Sequence, residues 1–209
     1  MCSKINIDNY IEDIIGIYNS EIGNMETLNR GELRQAKGDL VESITPLILR
    51  AAWKYIGGSN KDFKYIDKNQ KVTIYKKNKC RGIKYKLELD GRVLLNNKNC
   101  IVKEDKAYID TSMYKRALQD FDIYRKTNKN SLLICIALEE ARNKNSKKVL
   151  ESYFDFKPIN IILLKDNRSS SKEISRPCNF KELSKESLIK NIKIIGKAME
   201  KFLWLKKFQ

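Results

Sequence analysis

At 209 residues the chain is long enough for one ordinary domain with a sizeable core. It contains no histidine, which excludes His-dependent nucleases, Ser–His and Cys–His nucleophile systems and most zinc hydrolases. Lys and Arg number 42 against 26 Asp and Glu, a net charge of +16, which suits a polyanionic partner better than a small neutral substrate. The competing account is compositional: Lys and Asn are abundant throughout, and the excess charge is then only a solvated shell. No apolar run reaches the length of a membrane span, and the opening MCSKINIDNY lacks a signal-peptide core. A soluble cytoplasmic protein is therefore expected, with no membrane partner. The five cysteines, at 2, 80, 100, 135 and 178, form no CxxC pair, so neither disulfides nor zinc is indicated. Cys100 and Cys135 fall inside apolar β-like runs and read as small core residues.

In chain order, Ile5, Ile7, Ile11, Ile14, Ile15 and Tyr18 recur at helical spacing and predict a helical arm over about 1–25. Residues 31–56 read as a long helix, bent near Pro46 and stopped by Gly57-Gly58. Its buried stripe is Leu33, Leu40, Val41, Ile44, Leu47, Ile48, Ala51 and Ala52. Glu42 sits among these apolar positions and reads either as a surface residue on the helix edge or as a carboxylate turned into a site. Residues 71–77, 83–95 and 99–106 alternate like three antiparallel strands. A helix follows at about 112–126, with Asp110 or Thr111 as N-cap and a stripe of Met113, Ala117, Phe121 and Tyr124. The run SLLICIAL at 131–138 is a buried strand, followed by a helix near 145–153 and a strand at 159–165. Residues 166–179 form a basic polar loop. A Lys-rich amphipathic helix over about 183–207 closes the chain, its apolar side packing on the domain or on a partner subunit. The order predicts a single α/β domain over 1–209, its mixed sheet flanked by helices, with parallel pairing in the second half.

Chemistry concentrates in LELDGRVLL (87–95) and NCIVKEDKAYIDTSM (99–113). Asp90 closes a β-run and precedes a glycine, while Glu104 and Lys106 project from one face of their strand together with Val102. Two carboxylates supply hard oxygen ligands for a divalent cation. An ammonium beside them orients water and offsets charge on a phosphoryl transition state. Asp and E-x-K separated by 13 residues arise readily by chance in a chain with 33% charged residues, and on spacing alone a solvated strand face is the better account. The apolar Cys100-Ile101-Val102 leading into Glu104 alters the weighting, because charges at the end of a partly buried strand require partners.

The stretch VKEDKAYIDTSM (102–113) resembles the E-x-K-x-Tyr-hydrophobic-Asp-x-x-Met signature of certain type II restriction endonucleases of the PD-(D/E)xK superfamily. The helical GDLVES at 38–43 looks like that superfamily's leading helix, and the resemblance spans roughly 31–165, strongest over 87–113. It implies an α-β-β-β-α-β core, with Asp90 and Glu104 as Mg²⁺ ligands, Lys106 as the water-positioning or activating group and Glu42 as an auxiliary. Tyr108 and Asp110 would start the following helix. The implied activity is Mg²⁺-dependent hydrolysis of both strands of double-stranded DNA, leaving 5′-phosphates. A homodimer would match two active sites to two antiparallel strands, and a cognate DNA methyltransferase would protect host DNA. The chain departs from the pattern at Leu89, where proline is usual, and at Asp105, which places a carboxylate on the opposite strand face. Sequence-specific cleavage also needs side chains that read base edges, for which Arg81, Asn96, Asn97, Arg168 and Arg176 are candidates. For any one of these taken singly, a solvated loop residue is the better account. Two other classes stay open. One is a repair or recombination nuclease, or a single subunit of a heterodimeric restriction enzyme. The other is a non-catalytic basic nucleic-acid-binding module in which Asp90, Glu104 and Lys106 form a salt-bridge cluster.

Overall fold

The structure is a computed structural model that describes residues 7–25, 27–70, 72–77, 82–140, 144–164 and 182–205. Helix α1 (Asp8–Asn24) turns Ile11, Ile14 and Tyr18 inward. It lies against α2 (Arg30–Tyr55). A capping box starts α2: the Asn29 side chain accepts from the Gly31 and Glu32 N–H groups, and the Glu32 carboxylate accepts from the Asn29 N–H. The helix continues through Pro46 and stops at Gly57, whose φ of 87° lies in the left-handed region that glycine adopts without strain.

Strand β1 (Phe63–Asp67) precedes β2 (Val72–Lys77), β3 (Gly82–Leu87), β4 (Gly91–Leu95) and β5 (Asn99–Ile109). Helix α3 (Thr111–Arg125) then leads to β6 (Ser131–Glu140), and α4 (Lys144–Ser152) leads to β7 (Ile159–Ile162). The five-stranded sheet has the order β1-β4-β5-β6-β7. Its first three strands are mutually antiparallel, and β6 and β7 continue it in parallel, as expected for strands linked through helices. The sheet is thus mixed and flanked by helices.

Two sequence expectations need correction. The alternating stretch 83–95 is not one strand but two, broken at Glu88-Leu89-Asp90. β3 pairs only with β2 in a separate two-stranded sheet, while β4 pairs with β1 and β5. Alternation continues across the break, so a period of two cannot reveal the change of partner. The meander is therefore β1–β4–β5, and β1 replaces the strand expected at 71–77. Second, the strand expected to end at 106 runs on to Ile109, which puts Tyr108 in the sheet rather than at the start of the helix.

One core lies between the sheet and a layer of α1, α2 and α5 (Lys185–Leu205), built from Ile44, Ile48, Val93, Ile101, Ile134, Ile136, Leu188 and Ile192 among others. The second lies on the α3 and α4 side, around Val102, Leu133, Cys135, Tyr114, Leu118 and Phe121. β5 separates the two and sends alternate residues to each. Ile101, Lys103 and Asp105 face α2, while Val102, Glu104 and Lys106 face away from it. Among the described residues no helix is long and apolar enough to cross a membrane.

Candidate active site

The antiparallel register between β4 and β5 pairs Gly91 with Lys103. One step further along the two chains brings Asp90, just before β4, opposite Glu104. Lys106 lies two residues along β5 on the Glu104 face, and its Nζ donates to Asp90 Oδ2 and to Glu104 Oε2, each at 2.9 Å. The same ammonium donates to the Asp105 carbonyl at 2.9 Å. Asp90 Oδ2 also accepts from the Asp105 N–H at 2.8 Å. The three side chains singled out in the sequence therefore meet at one point, on adjacent antiparallel segments.

Their environments differ. The Glu104 side chain is only 5% exposed, against 25% for Asp90 and 21% for Lys106. Burial pushes the Glu104 carboxyl up to about 8; the negative charge of Asp90 adds to this, and Lys106 opposes it. Burial would also raise Asp90, but Lys106 and the Asp105 N–H outweigh it and hold that carboxyl below its ordinary value. Burial works against the charge on Lys106, yet Glu104 and Asp90 together keep its ammonium above the usual lysine range. Near neutral pH the carboxylate pair thus carries closer to one negative charge than two.

Behind this point, on the α2 side of β5, lies a second polar group. The Lys103 ammonium and the Asp105 carboxylate form an ion pair, with side chains 0% and 1% exposed. Lys103 Nζ also donates to Thr45 Oγ1 at 2.8 Å, and Thr45 Oγ1 donates to Asp105 Oδ2 at 3.0 Å. Burial pushes the Asp105 carboxyl up to about 6, with Lys103 opposing the rise. The departure at position 105 is thus a carboxylate turned away from the site and neutralised inside the protein.

Glu42 does not join the cluster. Its carboxylate pairs with Lys68 just after β1, and Lys68 in turn feels the charges of Asp39 and Asp90 as well as that of Glu42. Glu42 therefore sits at the margin of the site, held by a partly exposed lysine. Asn96 and Asn97 form the β4–β5 turn, with φ of 52° and 58°, the left-handed conformation that Asn tolerates in tight hairpins. They lie six residues from Asp90, about 20 Å along the strand direction. Arg81, Arg168 and Arg176, with the whole of the basic loop 166–179, lie outside the described residues.

The chain is similar to a type II restriction enzyme. The type II restriction enzyme DdeI of Desulfomicrobium norvegicum is 27% identical over 187 residues, which cover 76% of this chain and 78% of that protein. No family model matches. The likeness is distant.

Sequence reasoning missed Asp120 on α3, a partly buried carboxylate that burial holds above its ordinary value, with Arg116 and Lys106 opposing the rise and the charge of Asp90 adding to it. Its electrostatic coupling to both Asp90 and Lys106 places it in the site's field. Its position in the middle of a helix, one residue before the buried Phe121, offered no local signal. The Lys103–Asp105–Thr45 group was hidden differently: Thr45 lies 60 residues from Asp105, inside an otherwise apolar stripe.

Proposed function

We propose that the chain is a sequence-specific endonuclease of the type II restriction class, with a PD-(D/E)xK core, hydrolysing both strands of double-stranded DNA in the presence of Mg²⁺ and leaving 5′-phosphates. The convergence of Asp90, Glu104 and Lys106 at 2.9 Å hydrogen-bond distances carries the reading; the distant likeness to a restriction enzyme supports it. The order of α2, the β1–β4–β5 meander, α3 and β6 agrees with the α-β-β-β-α-β core that this reading requires. Asp90 and Glu104 are the metal ligands, Lys106 the water-orienting cation and Glu42 an auxiliary at the margin.

The residues present fit a Mg²⁺ ion. Glu104 Oε1 is buried and has no hydrogen-bond partner, a vacancy in its bonding that a hard cation fills. Among the described residues no three Asp, Glu, His or Cys side chains gather as a ready-made metal cage. Mg²⁺ does not need one, since it is commonly held by one or two carboxylates, with waters and substrate phosphate completing the shell. When bound, Mg²⁺ supplies positive charge that polarises the scissile phosphate and acidifies water.

The protein's own groups do the rest. Lys106, kept cationic by its two carboxylates, donates a hydrogen bond that orients the attacking water and offsets charge on the phosphoryl oxygens. Water adds to phosphorus in line, the bond to O3′ breaks, and the proton lost by the water leaves to solvent while the 3′ oxygen takes one up. A homodimer supplies two such sites, one per strand, and a cognate methyltransferase in the same cytoplasm protects host DNA.

Purified protein incubated with long double-stranded DNA and Mg²⁺, beside Glu104→Ala and Lys106→Ala, tests the reading. Discrete fragments from the wild type and none from either variant are expected. A smear would instead indicate a nonspecific or repair nuclease. Intact DNA in all three reactions, with binding retained, would leave a non-catalytic binding module.

A further inference from the structure

The buried polar group behind β5 touches Asp90 from two directions. Asp105 has its side chain on the α2 side, but its backbone N–H faces across the strand and donates to Asp90 Oδ2 at 2.8 Å. The stem of Lys103 lies directly over Gly91, the residue after Asp90. A Cβ at Gly91 would come within 2.5 Å of Lys103 Cε and 2.7 Å of the Tyr65 hydroxyl, so a side chain there would have to displace the Lys103 stem and the Tyr65 ring. Lys103 Nζ also lies 5.5 Å from the centre of the Tyr65 ring. β1, β4, β5 and α2 thus all contribute to a single packed polar cluster behind the Asp90–Gly91 junction.

A buried ion pair is a poor source of net stability, and well-packed apolar residues of similar size often serve as well or better. In some proteins what such a pair supplies instead is one defined geometry. Here that geometry can be transmitted: the Asp105 carboxylate is held by two donors, Lys103 Nζ and Thr45 Oγ1, which tether the β5 backbone carrying the Asp105 N–H to α2 beside the Asp90 junction. Asp90, which lies outside any strand, accepts a backbone hydrogen bond from that N–H.

We propose that Asp105, locked by Lys103 and Thr45, is a positioning residue that aims the Asp90 carboxylate into the candidate metal site. Its role at that site rests on the endonuclease reading, whereas its effect on the Asp90 junction does not. Residues that orient metal ligands from behind commonly cost about ten- to a hundredfold in metal affinity or activity when altered.

The test is the double variant Lys103→Met/Asp105→Asn, which removes both charges together and strands neither. Thr45→Val, which deletes only the shared hydroxyl, is run beside it. Three quantities are read: thermal midpoint, hydrogen-exchange protection of the residue-105 amide by NMR, and Mg²⁺ binding by calorimetry alongside the Mg²⁺ dependence of cleavage. The double variant is expected to keep a wild-type thermal midpoint. Its amide at 105 should lose about tenfold in protection, and its Mg²⁺ dissociation constant should rise about tenfold or more, while kcat at saturating Mg²⁺ falls less. Thr45→Val should move both readouts in the same direction by a smaller factor, and it decides the matter if the double variant does not fold. A folded variant with wild-type protection at 105 and wild-type Mg²⁺ affinity overturns the proposal. Wild-type protein that neither binds Mg²⁺ nor cleaves DNA overturns the endonuclease reading instead, and amide protection then still decides whether Asp105 fixes the Asp90 junction.

Discussion

Glu104 has one carboxylate oxygen on Lys106 and the other buried without a hydrogen bond, and this makes it the most informative residue for titration. Its carboxyl is raised by burial from the ordinary value of 4.5 to about 8. The folded state therefore binds this proton more tightly than the unfolded state does. The stability linked to it is fully present below pH 4.5 and is lost as pH rises to about 8. Glu104→Gln, which mimics the protonated acid, should match the wild type near pH 4.5 and exceed it above pH 8, by on the order of 1–3 kcal/mol. Thermal melts in chelator across that range check this; a constant difference between the two proteins would remove burial as the cause. Added Mg²⁺ should raise the melting temperature of the wild type and not of the variant. At this scale the sequence was legible where the chemistry depends on residue type and strand alternation: Asp90, Glu104 and Lys106 do converge. It was not legible where a residue's meaning comes from a distant partner. Asp105 looked like an intruder in the strand because nothing near it in sequence announces Thr45.

Among the elements, α3 is the one whose boundaries and packing followed most directly from local signals. Asp110 Oδ1 accepts from the Met113 N–H at 2.7 Å and from Ser112 Oγ at 2.8 Å, capping the helix at its start. Tyr114, Ala117, Leu118, Phe121 and Tyr124 then bury one face. Asp110→Ala should cost about 1 kcal/mol and lower the melting temperature by ~2–4 °C for a chain of this size. The Mg²⁺ concentration giving half-maximal cleavage should stay unchanged, since among the described residues Asp110 bonds only to its own helix terminus. A large loss of cleavage with no change in melting temperature would instead put Asp110 into the chemistry. The strands show the opposite case. β1 is five residues long and carries too little pattern to stand out, and β3 and β4 read as one alternating run. Which strand pairs with which is decided by the cores on either side of the sheet. The interruption at Glu88-Leu89-Asp90 matters for function, because it leaves Asp90 at a strand entrance, where its side chain can turn toward Glu104.

For the whole molecule the question is whether the net charge of +16 is a solvated shell or a directed surface. On α5, Lys190, Lys193, Lys197 and Lys201 are exposed while Leu188, Ile192, Ile195 and Met199 are buried, the ordinary division of an amphipathic helix, so this row alone favours neither account. Counterion release separates them. A protein that neutralises six to ten DNA phosphates loses about 10³–10⁵ in affinity between 50 and 200 mM salt, whereas a dispersed shell making one or two contacts loses far less. Binding to long double-stranded DNA, measured in chelator so that cleavage cannot intervene, should therefore weaken steeply with salt. Restoring Mg²⁺ to the same complex at low salt should start cleavage without a second binding step. A shallow slope would assign the charge to composition and leave the carboxylate–lysine cluster without the polyanion it is proposed to cut. A steep slope with no cleavage on adding Mg²⁺ would keep the DNA partner and count against the chemistry at Asp90, Glu104 and Lys106.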